Sequence, residues 1–334
     1  MKRNLVLVLL FVFMLSVAGC GGQTPSEKTQ EKVKTELVDL VVGTAPGPVS
    51  YSLAYMVTQP DEGLNITLRP WKMYDQLLAM ITAEQVNLSS TPITNAIMLY
   101  NKGFDVQLIN ISVWGMLYVL SPDDTVQEIA DLKGEKIAVA GKGGIHDLVF
   151  RHLLIKNGLD PDKDVQILYM DLPEASGKLA TSELKFAVLN EPNSSMATLN
   201  AKKGGVELHR VLDLQEEWQK VTGQKEARIP QAGFVVVNAK SVDKAAVAKF
   251  QESFMLAAQW VNEHPQEAGT IVEKQFDWMK APAVQQSLQF ARLDPVPAAD
   301  CKSEIEVFFK ELSETAPAEA MGGKLPDAAF YFQP

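Results

Sequence analysis

The sequence predicts an α/β protein of two units, each a parallel sheet with helices on both faces. Two observations carry this prediction. From residue 37 to about residue 238, apolar strand-like runs alternate with stretches of helical periodicity, which is the pattern of βαβ units. The remainder is almost wholly helical and has to pack on something, so it is expected to return over the first unit. The chain then crosses between units twice, near Val113–Leu120 and near Gly233–Asn238. With 334 residues, 46% hydrophobic and 22% charged, the chain is long enough for two modest cores.

Taken in order, LVDLVVGTAPG is a continuous apolar run ending in Gly and Pro, a buried strand feeding a loop. PVSYSLAYMVTQ is a helix with Pro48 in its first turn. NITLRPW and VNLSS read as strands, YDQLLAMITAE as a helix, TPITNAIMLYNKG as a helix stopped by Gly103, and DVQLINIS as a strand. After WGMLYVLSPDD a second series begins: DLKG, the strand EKIAVA, a glycine turn, and a helix to Asn157 stopped by Gly158. DVQILYM, LKFAVL and VELHRVLDL add strands separated by helices, and GFVVVNAKS is a further strand. SVDKAAVAKFQESFMLAAQWVNEH and segments broken at Pro265, Pro282 and Pro297 are helical. This divides the chain into lobe I (37–113), lobe II (114–234) and a mostly helical return to lobe I (235–334).

Residues 1–19 read as a secretory signal: a basic start at Lys2-Arg3, an apolar run from Leu5 to Leu15, and small residues Val17-Ala18-Gly19 before Cys20. The run is shorter than the roughly 20 residues a membrane span needs. VAGC resembles the bacterial lipobox, which implies lipidation at Cys20. GGQTPSEKTQEKVKTE has no apolar periodicity, so residues 20–36 read as a flexible lipid-anchored tether. The expected location is exported, at the outer face of the plasma membrane or the periplasmic side of a membrane. If Cys20 carries lipid, the one other cysteine, Cys301, has no partner within the chain and reads as a small buried apolar residue. The net charge of −10, without a basic block, argues against nucleic acid as a partner.

KIAVAGKGGIHDLVF is a strand, a glycine-rich turn and a helix. A Walker loop needs Ser or Thr after its lysine, and here Gly143 follows Lys142; a dinucleotide fingerprint needs a third glycine where His146 stands. Gly141, Gly143 and Gly144 still allow successive N–H groups to face a ligand ahead of a helix N-terminus. Such a site favours an anion or carbonyl-like acceptor by about 0.3–1 kcal/mol, up to ~2 when partly buried. A tight turn without a ligand is the other reading.

DLKGEKIAVAGKGGIHDLVFRHLLIKNGLDPDKDVQIL, with LATSELKFAVLNEP after it, resembles the second domain of the nitrate/sulfonate/thiamine-precursor substrate-binding proteins of ABC importers. YDQLLAMITAEQVNLSSTPITNAIMLYNKG is similar to their first-domain segment, and GGKLPDAAFYF to the tail of one subgroup. The resemblance covers nearly everything from Leu37 onward. It implies a type II periplasmic-binding-protein fold: two α/β lobes joined by two crossing strands and closing on a small ligand. The double crossing inferred from the alternation agrees with it. It also implies a monomer that works with an ABC permease and its ATPase and itself needs no cofactor.

Ligands of open α/β sheets sit beyond the carboxyl ends of strands, so the strand-to-helix loops supply the candidates. The family implies contacts at the loop Ala45, Pro46 to Tyr51, where Tyr51 stacks on or hydrogen-bonds a ligand. Tyr74 begins the second helix, and Asp75 beside it reads as a first-turn acid. Ser90 and Thr91 either bond a ligand or cap the next helix, and Trp114 either floors the cleft or fills the core. Lobe II offers Gly143, Gly144, Ile145 and His146, and Glu191 in Asn190-Glu191-Pro192, where the family pattern implies proximity to the ligand. Where the family shows Val-Asp, this chain has Val86-Asn87 and Lys185-Phe186. No arginine falls at a cleft loop, and Lys72 and Lys142 are the nearby cations, so a weakly anionic, a zwitterionic and a neutral heterocyclic ligand all remain open.

An enzyme related to thiamine-pyrimidine synthesis, which uses histidine and iron, is the main rival. His146, His152, His209 and His264 are scattered without metal-ligand spacing, no GxSxG elbow occurs, and that synthase's cysteine-rich motif is absent. Neither a metal nor catalysis is expected. A tethered ligand sensor shares every one of these features.

Overall fold

The computed structural model describes residues 37–61 and 63–334; the expected signal segment, Cys20 and the tether lie outside the described residues. β1 (Val38–Thr44), β2 (Leu64–Pro70), β3 (Leu88–Pro92) and β4 (Val106–Val113) are separated by α1 (Pro48–Thr58), α2 (Tyr74–Thr82) and α3 (Ile93–Asn101). β5 (Leu117–Ser121) and β6 (Lys136–Val139) lead to α4 (Ile145–Lys156), β7 (Gln166–Tyr169) and α5 (Leu172–Ala180). β8 (Phe186–Asn190), α6 (Asn193–Lys203), β9 (His209–Asp213) and α7 (Leu214–Thr222) follow. The chain continues through β10 (Ala232–Val237), α8 (Lys244–Glu263), α9 (Pro265–Gln275), α10 (Ala281–Ser287), β11 (Leu293–Pro297) and α11 (Lys302–Ser313).

Local chemistry sets several of these boundaries. Pro48 opens α1, where its missing N–H leaves no helical acceptor unserved. Asp171, Asp213 and Asp243 cap α5, α7 and α8 by accepting from backbone N–H groups of the first turn. α7 stops at Gly223 in the left-handed conformation (φ 68°).

Among the described residues the strands form two sheets, ordered β11-β4-β10-β3-β1-β2 and β7-β6-β8-β5-β9, one in each lobe of an α/β fold. Neither is purely parallel, which corrects the expectation from alternation alone. β1 runs parallel to β2 and β3, whereas β10 lies antiparallel between β3 and β4. In the second sheet β6 pairs parallel with β7 and β8, and β5 is antiparallel to β8 and β9. β11 is likewise antiparallel to β4. The other two reversed strands, β5 and β10, are the first that the chain forms after passing from one lobe to the other. Each enters its new sheet from the end opposite to that used by local βα units.

β10 belongs wholly to the first sheet, so the return lies before it, within residues 223–231, and not across Gly233–Asn238. The two connections touch: Ile229 N–H donates to Trp114 O (2.7 Å) and Gln231 N–H to Val113 O (2.9 Å). A third segment joins them, with Trp114 N–H donating to Arg292 O (2.9 Å) and Arg292 N–H to Gly115 O (2.7 Å). That segment is also tied to lobe II, through Tyr118 Oη–H donating to Phe290 O (2.6 Å) and the Arg292–Asp213 ion pair (3.0 Å).

The helical return divides its contacts. α8 and α9 pack on α1, and Phe250 and Phe254 close around Phe234 of β10, with ring centroids at 5.1 and 4.8 Å. Burial of each such ring contributes about 1.5–3 kcal/mol. α11 touches α4 of lobe II and also the short turn at Ala318–Met321 that packs on α3 of lobe I. On the lobe II side Phe308 meets Trp218 (5.3 Å) and Lys156 pairs with Glu314 (2.8 Å), because the chain leaving β11 already lies beside the crossing. Cys301 is a free, buried thiol, and burial pushes its pKa up to about 12, which suits a small core residue.

Candidate ligand-binding cleft

The N-termini of α1, α2 and α3 in lobe I and of α4 and α5 in lobe II converge on a gap between the lobes of about 630 Å³. This follows from βα geometry, in which each strand delivers the chain to the rim and each helix starts there with its first N–H groups unserved. The aligned peptide dipoles make such a rim attractive to negative charge.

Of the residues singled out in the sequence, Ala45, Pro46, Ser90, Thr91, Gly144, Ile145 and His146 line this gap. Ser90 Oγ accepts the Ala45 N–H (3.1 Å), tying the β1–α1 loop to the end of β3. Thr91 Oγ1 is buried and has no partner among the described residues. At α4 the glycine turn closes on itself, with Gly144 N–H donating to Gly141 O (2.9 Å). Gly143 N–H donates to Asp147 Oδ2 (2.8 Å), and Asp147 Oδ1 accepts from Tyr169 Oη (2.9 Å). Asp147 thus braces the turn from below. The N–H groups of Ile145 and His146, at the first two helical positions, have no protein acceptor among the described residues, and both residues line the gap.

The other predicted site residues lie elsewhere. Gly143 faces a separate recess bordered by Arg151 and Pro161, and its N–H is already taken. Tyr51 is fully buried between α1 and α10 with its hydroxyl 2.9 Å from Ser287 Oγ, and burial drives its pKa far upward. Tyr74 is half-buried outside the gap, packed against the core. Trp114 is core at the crossing, where Nε1–H donates to Asp294 O (2.9 Å) and the Arg228 guanidinium lies 4.4 Å from the ring. Glu191 is completely buried and accepts from Ser195 Oγ (2.7 Å) and from Arg210 Nε (3.0 Å) and Nη2 (2.6 Å). Burial raises its pKa, against the lowering effect of Arg210 and Ser195. Asp75 occupies the first turn of α2, as its position suggested.

Within the stretch Asn190-Glu191-Pro192 it is Asn190 that lines the gap, and Met73, Asn95, Met116, Met170 and Gln231 are lining residues that sequence reasoning did not single out. Tyr169 to Leu172 is a strand-to-helix turn like the others, so the same rule would have found it. Gln231 sits on the return connection and carried no local signal. Lys72 and Lys142 supply the positive side chains of the lining, the former 5.3 Å from the Trp278 ring and the latter 5.6 Å from that of Tyr169. Asp171 also lines the gap, but one of its oxygens caps Glu174 N–H (2.8 Å). Burial lowers the His146 pKa to about 4, so the ring is neutral at neutral pH and able to donate or accept a hydrogen bond. The lining contains no arginine among the described residues, so a planar two-pronged clamp on an oxyanion is not built here.

Among the described residues no group of three or more His, Cys, Asp or Glu is placed to hold a metal ion, and no helix is long and apolar enough to cross a membrane.

The family described as NMT1/THI5 like matches residues 60–268. The Bacillus subtilis (strain 168) protein YtlA, whose name describes it as a binding protein, is 22% identical over 284 residues, which is 83% of this chain and 79% of that one. A crystal structure of an ABC transporter from Parabacteroides distasonis aligns with a TM-score of 0.73 at 20% identity, covering 90% of this chain and 99% of the other. The periplasmic aliphatic sulphonate binding protein SsuA from Escherichia coli aligns with a TM-score of 0.65 at 16% identity, over 89% and 92%. At these identities the structural likeness is one of fold.

Proposed function

Because the chain belongs to the NMT1/THI5-like family, we propose that it is an exported solute-binding receptor of an ABC importer, held to a membrane by lipid on Cys20. The observation that carries this reading is the gap where helix N-termini of both lobes meet. A ligand with an anionic or strongly dipolar head accepts hydrogen bonds from the Ile145 and His146 amides of lobe II while Lys72 and the α1 and α3 N-termini face it from lobe I. Each helix end contributes about 0.3–1 kcal/mol to such a head, rising to ~2 when water is excluded. The rest of the ligand lies against Pro46, Met116 and Met170.

Contacts from both lobes are complete only when the lobes are together, so the ligand favours the closed form by its differential affinity for it. The closed receptor then docks on a permease whose ATPase works at the cytoplasmic side; this chain itself needs no nucleotide. Mass spectrometry of small molecules that co-purify with the protein, followed by a thermal-shift panel of sulfonates, carboxylates, pyrimidines and flavins, tests the reading. A compound that raises Tm should also reduce the radius of gyration in X-ray scattering. If no molecule co-purifies and no compound raises Tm, or if binders leave the radius unchanged, the receptor reading is refuted.

A further inference from the structure

The main gap is not the only space between the lobes. A second chamber of about 310 Å³ lies between the α5–α6 side of lobe II and the Trp278–Val284 segment of lobe I. Three features join it to the cleft. Pro46 lines both spaces. Lys72, a cleft residue, holds its ammonium 5.3 Å from the Trp278 ring, which lines the chamber. Asn193 of the chamber donates to Asn190 Oδ1 of the cleft (2.9 Å). The chamber walls are mostly apolar, with Pro173, Met196 and Met279 among them, and Trp278, which lines the chamber, carries a buried Nε1–H with no partner among the described residues. A buried donor of this kind is costly unless something accepts from it.

We propose that the cleft continues past Pro46 into this chamber, and that the solute is an elongated organic anion. Its head sits at the helix N-termini, and its tail runs into the chamber, where it presents a hydrogen-bond acceptor to Trp278 Nε1–H. The inference rests on the solute-receptor reading and goes further by naming the ligand's shape and the residue that selects its tail. Both walls come from different lobes, so a tail in the chamber also helps hold the lobes together.

The test uses linear alkanesulfonates and alkanecarboxylates of increasing length, from ethyl to octyl, with matched analogues carrying a methoxy group at the far end, measured by calorimetry. Affinity should climb about fourfold per methylene once the tail passes Pro46, and the methoxy oxygen should add about threefold to tenfold at the length that reaches Trp278. Trp278→Ala should flatten this climb. Gly177→Leu should do the same by filling the chamber: Gly177 is an exposed helical position where an added Cβ meets nothing within 4 Å, so this variant is expected to fold even if Trp278→Ala does not. If compounds bind but affinity does not depend on length, or the dependence survives both variants, the chamber proposal is overturned while the receptor reading stands. If the folded protein binds no member of either series, the anionic-head reading falls and the chamber proposal falls with it.

Discussion

Arg210→Met tests how the lobe II wall of the cleft is held. Arg210 reaches Glu191 Oε1 with Nε (3.0 Å) and Nη2 (2.6 Å) and Ser195 Oγ with Nη2 (2.9 Å), and its guanidinium lies 3.6 Å from the centre of the Phe290 ring. The Glu191 side chain is 0% exposed and that of Arg210 12%. Removing the guanidinium leaves a carboxylate in a dry site with only the Ser195 N–H (3.2 Å) and hydroxyl (2.7 Å). Breaking a buried pair from one side costs about 3–5 kcal/mol, most of it the desolvation of the stranded partner. The sign with pH follows from the raised folded-state pKa of Glu191, which burial dominates and Arg210 opposes. A carboxyl whose folded pKa lies above its unfolded value loses stability as pH rises through the folded pKa and regains it as pH falls. Without Arg210 that upward shift grows, so the deficit should be full at pH 8 and clearly smaller at pH 5. Urea unfolding followed by tryptophan fluorescence at the two pH values measures both. Adding Glu191→Gln to the variant should recover most of the loss, since no charge is then stranded. A deficit under about 1 kcal/mol at pH 8, or an equal deficit at pH 5, refutes the claim that this pair is a desolvated charge pair.

Three further outcomes are expected. His152 is buried against Trp218, beside the Thr315 hydroxyl (2.9 Å), with Lys156 and Glu314 nearby, and burial lowers its pKa to about 4. A histidine held neutral in the fold contributes stability that is full above its unfolded pKa and lost as pH falls toward its folded one. Between pH 7 and pH 4 wild type should therefore lose up to about 3 kcal/mol more than His152→Gln; equal acid losses in urea midpoints would contradict this. Gly144→Val places a Cβ 3.1 Å from Gly141 O beside the open amides of α4, and should weaken binding of an identified ligand about tenfold with Tm within a few degrees of wild type; unchanged affinity by calorimetry removes the glycine turn from the site. Cys20→Ser should move the protein from the membrane fraction to the soluble fraction, and retention after salt and carbonate washing counts against lipid anchoring.

The strand and helix segments were legible because period and punctuation are local. Strand direction was not: the alternation that marks DVQLINIS and GFVVVNAKS is the same whether a strand enters its sheet from a βα loop or from the other lobe. The antiparallel placement of β10 between β3 and β4 depends on where the chain has been, and at Gly233 a side chain would overlap the carbonyl of Asn110. The glycine there is a trace of the close β10–β4 pairing, visible in the sequence but not interpretable without the partner strand.

The site divides along a similar line. Small residues of strand-to-helix loops, Ala45, Ser90, Thr91 and Gly144 to His146, line the gap because any βα unit brings such residues to the rim. Three of the large or charged residues chosen beside them lie outside the lining and are held by partners elsewhere in the chain: Tyr51 by Ser287, Trp114 by Asp294 and Glu191 by Arg210. A tyrosine, a tryptophan or an acid near a ligand loop is as useful for locking that loop as for touching the ligand, and only tertiary packing decides between the two. The consequence for this cleft is that recognition falls mainly on backbone amides and on apolar walls, with Lys72 and Lys142 as its cations. Selectivity then has to come from shape and from isolated donors such as Trp278 Nε1–H, because helix N-termini attract any compact anion and distinguish poorly among them.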